Sequence, residues 1–238
     1  MPDNPMLTVQ NLHLQRGGKA VLHGIDLSIQ PGQICALLGA NGAGKSSTVM
    51  AIAGVLPVQS GSILLNQQPL HGLRPERVRA AGVAVVPEGH KVLGDLSIVD
   101  NLRVAASNLP AGQVNAQVER VLDIFPELRP KLLLPARALS GGQKQMVCIA
   151  QALVVMPRFL IIDELSLGLS PLIVQRLAAV VREVAQQGVG VLLIEQFTSL
   201  ALDIASQAYV LERGRLAFAG DSPTLRAQPD ILHSSYLG

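Results

Sequence analysis

Leu139-Ser-Gly-Gly-Gln143 (LSGGQ) decides the reading because of what flanks it: GANGAGKSS at Gly39–Ser47 upstream and FLIIDE at Phe159–Glu164 downstream. The upstream segment reads as a phosphate cradle. The downstream one reads as an apolar strand ending in two carboxylates. Between them a Ser-Gly-Gly turn opens a helix. Ser140 before two glycines is a good helix cap on any reading. The same geometry also gathers a hydroxyl and backbone N–H groups into an anion site. Five specified residues arise by chance in on the order of one chain in a few thousand at average composition, so the pattern outweighs a cap alone.

Gly39-x-x-x-x-Gly44-Lys45-Ser46 follows the apolar run Gln33–Gly39 and begins a helix expected over about Lys45 to Ala53. That context turns a glycine-rich loop into a phosphate site. Gly39, Asn41, Gly42, Ala43, Gly44, Lys45, Ser46 and Ser47 are the candidate phosphate-binding residues. Glycines let successive N–H groups point inward at phosphate oxygens, and the helix N-terminus adds partial positive charge. Lys45 would reach the β- and γ-phosphates, with Ser46 ligating Mg²⁺.

Asp163 and Glu164 end the run Phe159–Glu164, about 120 residues after the loop. Successive strand residues face opposite sides, so the two acids are expected to take separate roles while the strand stays regular. Asp163 is the candidate Mg²⁺ ligand. Glu164 is the candidate group that polarises an attacking water.

Outward from these motifs, the first part of the chain reads as short strands. Leu7, Val9, Leu12 and Leu14 share one apolar pattern, and Ile25, Leu27 and Ile29 alternate before Pro31-Gly32. Strands are also expected at Ser62–Leu65 and Val83–Val86. From about Glu88 to Met156 the period becomes helical. Ser97 to Asp100 reads as a capping box. Val114, Val118, Val121, Leu122 and Phe125 form one stripe. Ser140 caps a helix expected to run to Pro157. Strand Phe159–Asp163, helix Pro171 to Gln187, strand Val189–Ile194, a further helix and the hairpin AYVLERGRLAFAG follow. The fold class is α/β: a nucleotide-binding core (1–87 and 157–238) with a helical insertion (88–156), one domain over 1–238.

Composition narrows the function classes. Hydrophobic residues make up 49% and charged residues 15%, which supplies a core and argues against disorder. A net charge of +2 and 3% aromatics, with no Trp, argue against nucleic acid as partner. Cys35 and Cys148 lie in apolar segments and read as core packing in a reducing compartment. The opening residues carry no signal-peptide pattern, and the apolar runs are too short to span a membrane.

In order and spacing, the phosphate loop, LSGGQ and FLIIDE closely resemble the ATP-binding-cassette family over essentially the whole chain. The resemblance implies a phosphate-loop core, a small antiparallel β subdomain and an inserted helical subdomain. It also implies MgATP hydrolysis in a head-to-tail dimer. Ser140, Gly141, Gly142 and Gln143 would then contact the nucleotide held by the other subunit.

Departures from the family pattern sharpen this. After Val85-Val86-Pro87 the family usually carries Gln, where this chain has Glu88. Glutamate can ligate Mg²⁺ but cannot donate as an amide does; a solvated loop acid is the alternative. The usual switch His is replaced by Gln196, whose amide can donate to the γ-phosphate without titrating. Arg16 stands where an aromatic usually stacks on adenine. Its guanidinium could stack there or remain a bystander. Leu165 replaces a common Pro.

VPEG, DLSIVDNL, DELSLGLSP, IEQF and the closing SSYLG together resemble the shorter ATP-binding subunit of branched-chain amino-acid importers. By that resemblance the partners are a second ATP-binding subunit (a heterodimer, or a homodimer), two membrane permeases docked on the helical insertion, and an extracytoplasmic solute-binding protein. The place would be the cytoplasmic face of the inner membrane. Importers of urea, amides or aromatic acids, lipid or lipopolysaccharide exporters, and soluble cassette proteins are the competing classes.

Overall fold

The computed structural model describes residues 6–237. The chain opens with two long strands, β1 (Leu7–Arg16) and β2 (Lys19–Ile29), followed by β3 (Ile34–Leu38), α1 (Lys45–Ile52), β4 (Ser60–Leu65), β5 (Gln68–Pro69), α2 (Pro75–Ala80) and β6 (Val83–Val86). A helical stretch comes next: α3 (Ile98–Ala105), α4 (Ala111–Ile124), two 3₁₀ turns and α5 (Gly141–Leu153). The chain then returns to alternation through β7 (Phe159–Asp163), α6 (Pro171–Gln186), β8 (Gly190–Ile194) and α7 (Thr198–Ile204). β9 (Gln207–Glu212), β10 (Arg215–Asp221), α8 (Ser222–Arg226) and α9 (Pro229–Leu237) complete it. The closing motif SSYLG reaches Gly238, which lies outside the described residues.

Two sheets form. A six-stranded sheet runs β10-β9-β3-β8-β7-β6, parallel except for the antiparallel edge strand β10. A four-stranded antiparallel sheet runs β2-β1-β4-β5.

The unbroken apolar runs follow from burial on both faces. Ala36, Leu38, Leu160, Ile162, Val191 and Leu193 pack with α4, α5 and α6. Their strand neighbours Cys35, Leu37, Phe159, Ile161, Leu192 and Ile194 pack on the opposite face with α1 and the antiparallel sheet. The two cysteines therefore lie in different cores, both free and buried. Burial pushes each thiol up to about 12, which leaves them inert.

The opening strands are longer than expected, and their single apolar pattern is two patterns. Leu7 and Val9 are buried in one phase, Leu12 and Leu14 in the other. The register shifts between them, at Asn11 with φ 45°, where the Asp26 carboxylate accepts from the Asn11 N–H at 2.9 Å. This bulge returns the apolar side chains to the core.

α5 stops at Leu153 and does not reach Pro157. Met156, before the proline, sits at φ 53°, since the ring disfavours a helical residue ahead of it. Ser97 caps α3 as expected, accepting from Asp100 N–H at 3.2 Å. The Asp100 carboxylate takes the Ser97 hydroxyl, so the reciprocal half of the expected box is replaced. β5, α2, α8 and α9 had no distinct signal in the sequence. Among the described residues, no helix is long and apolar enough to cross a membrane.

Candidate functional site

Strands β3, β6, β7 and β8 are parallel, so their carboxyl ends share one edge of the sheet. Register makes this concrete: Leu37 lies beside Ile194, Ile194 beside Asp163, and Ile162 beside Val86. The residues that follow these ends are the phosphate loop, Glu88, Glu164 and Gln196. A crevice at the carboxyl ends of parallel strands is where open α/β sheets hold ligands.

The phosphate loop leaves β3 through Gly39 at φ 146°; a Cβ there would lie 2.2 Å from the Leu211 carbonyl oxygen. Gly44, at φ 114°, precedes α1 with no side-chain cap. The first N–H groups of α1 are thus left for a ligand. Asn41 and Gly42 are exposed, Ala43 and Ser47 are buried, and Lys45 is only 6% exposed. The Lys45 ammonium donates to the carbonyl oxygens of Gly39 at 2.7 Å and Ala40 at 3.0 Å. Burial lowers its pKa, against the pull of Glu164, Asp163 and Glu88.

Those acids complete the cluster. Ser46 lies beside the Asp163 carboxylate and favours its charged form. Burial, with repulsion from Glu88, raises Asp163 to about 6. Burial and Glu88 also raise Glu164, opposed by Lys45. Glu164 adopts φ 60°, and its N–H donates to the Ile194 carbonyl at 3.0 Å. The expected separation of the two acids assumed a regular strand. The strand stops being regular at Glu164, and both carboxylates act on Lys45.

Ser46, Asp163 and Glu88 offer a hydroxyl and carboxylates, all hard oxygen donors. Among the described residues, no group of three or more His, Cys, Asp or Glu side chains could itself hold a metal ion. The hydroxyl of Ser46 with the carboxylates of Asp163 and Glu88 is a donor set that suits Mg²⁺, which binds through one or two carboxylates plus substrate phosphates and waters.

At the other motif, Ser140 caps α5 and closes a capping box. Its hydroxyl accepts from Gln143 N–H at 3.4 Å, and the Gln143 side-chain amide oxygen accepts from Ser140 N–H at 3.2 Å. Ser140 and Gly141 are exposed. Gly142 is buried: a Cβ there would meet Ile173 of α6 at 2.9 Å, so close helix packing requires this glycine. Arg16 is exposed at the end of β1, paired with Lys19 across the Gly17-Gly18 turn. Gln196 is half-buried between β8 and α7.

Sequence reading missed Glu195, 1% exposed at the end of β8. Its carboxylate accepts from the Ser166 hydroxyl at 2.8 Å and the Ser166 N–H at 3.0 Å. An acid closing an apolar strand beside Gln196 was the available signal.

Phosphate loop, paired acids at a strand end and an exposed capped Ser-Gly-Gly helix start define a P-loop ATPase. The ABC transporter family pattern matches residues 22–166. The chain belongs to this family, as an ATP-binding subunit that hydrolyses ATP to power transport. It is similar to the high-affinity branched-chain amino acid transport ATP-binding protein BraG of Pseudomonas aeruginosa, 35% identical over 233 residues, 98% of this chain and 100% of that one. It is also similar to the lipopolysaccharide export system ATP-binding protein LptB of Escherichia coli, 30% identical over 238 residues, 98% and 97% of the two chains. The solved structure of an ATP-binding subunit of an ABC transporter superposes with a TM-score of 0.84 at 30% identity, covering 98% of each chain. Such ATP-binding subunits work with membrane permease subunits.

Proposed function

We propose that this ATPase powers an importer of branched-chain amino acids at the cytoplasmic face of the inner membrane. Glu88 and Gln196, together with the likeness to BraG, support the amino-acid reading. The likeness to LptB at 30% identity supports a second reading, export of a lipid or lipopolysaccharide. An importer of urea, amides or aromatic acids would use the same engine.

The observation that carries the mechanism is the convergence of Lys45, Ser46, Asp163, Glu164 and Glu88 at one sheet edge. The loop Gly39–Ser47 binds the phosphates through its N–H groups and Lys45. Ser46, Asp163 and Glu88 would hold Mg²⁺, which when bound neutralises phosphate charge. Glu164 accepts the proton of the attacking water, and Gln196 donates to the γ-phosphate. Charge that develops on the transferring group is met by donors already in position. Ser140, Gly141, Gly142 and Gln143 serve the nucleotide of a second ATP-binding subunit; the exposure of Ser140 and Gly141 at the start of α5 supports that role. Arg16, exposed at the end of β1, stacks on adenine.

Residues 88–156 act as the unit that meets the two permeases, and an extracytoplasmic binding protein delivers the solute. A groove of about 870 Å³ between the core and this unit, lined by Met50, Val55, Arg79, Lys91, Leu93 and Val104, supports the docking. Val55, Leu93 and Val104 are about half exposed there.

The test is uptake of labelled leucine and labelled urea by source cells lacking the chain, restored with it, or restored with Glu164→Gln. Leucine uptake lost in the first and third strains, with urea unaffected, is expected. Leucine uptake intact without the chain would remove the amino-acid reading.

A further inference from the structure

Glu164 is held in an unusual backbone conformation, and the group that braces it is a second carboxylate. A non-glycine residue at positive φ persists only where its surroundings hold it. Here the main-chain N–H of Glu164 donates to the Ile194 carbonyl at 3.0 Å. Ser166, two positions on, is held by the side chain that follows Ile194. The Glu195 carboxylate accepts from the Ser166 hydroxyl at 2.8 Å and from the Ser166 main-chain N–H at 3.0 Å. Glu195 is itself anchored, since its N–H donates to the Leu37 carbonyl at 3.4 Å, next to the phosphate-loop strand end. Leu165, between the two acids, is fully buried.

Burying an ionised carboxylate is costly unless it is well satisfied. Two donors of one residue, the Ser166 hydroxyl and N–H, converging on a carboxylate that is 1% exposed form a built arrangement. It stands within two positions of Glu164 on one side and directly precedes Gln196 on the other.

We propose that Glu195 is a positioning residue for hydrolysis: by clamping Ser166 at both its N–H and its hydroxyl it fixes the turn that aims the Glu164 carboxylate. It holds the Gln196 loop to the same frame. The inference rests on Glu164 acting as the base. Glu195 does not touch the nucleotide, so its effect belongs to the chemical step and not to ATP binding.

Glu195→Gln preserves shape but turns an amide NH₂ toward a main-chain donor and removes the charge. Ser166→Ala, on a half-buried loop residue, deletes one of the two donors and leaves the core untouched. Both variants and wild type would be assayed in the assembled transporter for ATP affinity and turnover. We expect Glu195→Gln to lose at least about tenfold in kcat and Ser166→Ala severalfold, with ATP affinity within about twofold. Residues that act as one unit are non-additive. Glu195→Gln added to Glu164→Gln should therefore lower residual turnover no further. Wild-type kcat in Glu195→Gln, losses that multiply in the double variant, or an equal loss of ATP affinity would each overturn the assignment. Glu164→Gln with turnover intact would instead remove the base itself, so the two failures are distinguishable.

Discussion

The Lys45 ammonium donates to the Gly39 carbonyl oxygen at 2.7 Å, bridging the two ends of the phosphate loop across its mouth. The lysine is thus presented to the loop interior, with Asp163, Glu164 and Glu88 close enough to oppose the effect of burial on it. Lys45→Ala removes both the proposed phosphate ligand and the partner of two loop carbonyls. Hydrogen bonds to charged groups contribute about 1.5–3 kcal/mol, or roughly 10- to 100-fold in affinity. ATP affinity measured by titration should fall by that order. Unchanged affinity would move the phosphate site elsewhere.

Asp163 gives a stability signature. Its carboxyl is raised from 3.8 to about 6 by burial and by Glu88. The folded chain therefore holds this proton more tightly than the unfolded chain. Its contribution to stability is fully present below about pH 4 and declines as pH rises toward 6. At pH 8, without nucleotide, Asp163→Asn should melt above wild type by roughly 2–4 °C, equivalent to ~1 kcal/mol in a domain of this size. The gap should close toward pH 4. A melting curve in which Asp163→Asn is less stable than wild type at pH 8 would contradict this account of the apo site.

Much of this site was legible in the sequence because phosphate chemistry fixes residue types at short spacing. Gly39, Gly44, Lys45 and Ser46 stand where the loop geometry needs them, and the two-faced core follows from the apolar runs themselves. What escaped depends on contacts between segments far apart in the chain. Glu195 reads as an ordinary strand-end acid until Ser166, 29 residues earlier, is brought against it. The bulge at Asn11 is written as a change of apolar phase between Val9 and Leu12, which a single apolar pattern over Leu7 to Leu14 does not show. The end of α5 at Leu153 required weighing the residue before Pro157, not the proline alone.

Gln196 predicts a pH profile. An amide does not titrate, so kcat at saturating MgATP should show no step from this position near about pH 6.5, the ordinary histidine range. Gln196→His should introduce one. A pH–rate profile of Gln196→His that matches wild type would show that position 196 does not meet the γ-phosphate.

The most direct test of the account is ATP turnover and ATP retention by Glu164→Gln, beside wild type, in the assembled complex. General-base groups contribute typically about 10²–10⁴-fold. The account predicts a kcat lower by at least ~100-fold, ATP affinity within about threefold, and bound ATP retained with a shift toward the ATP-binding dimer. Turnover near the wild-type rate would contradict it, because no other residue has been given the task of directing the water.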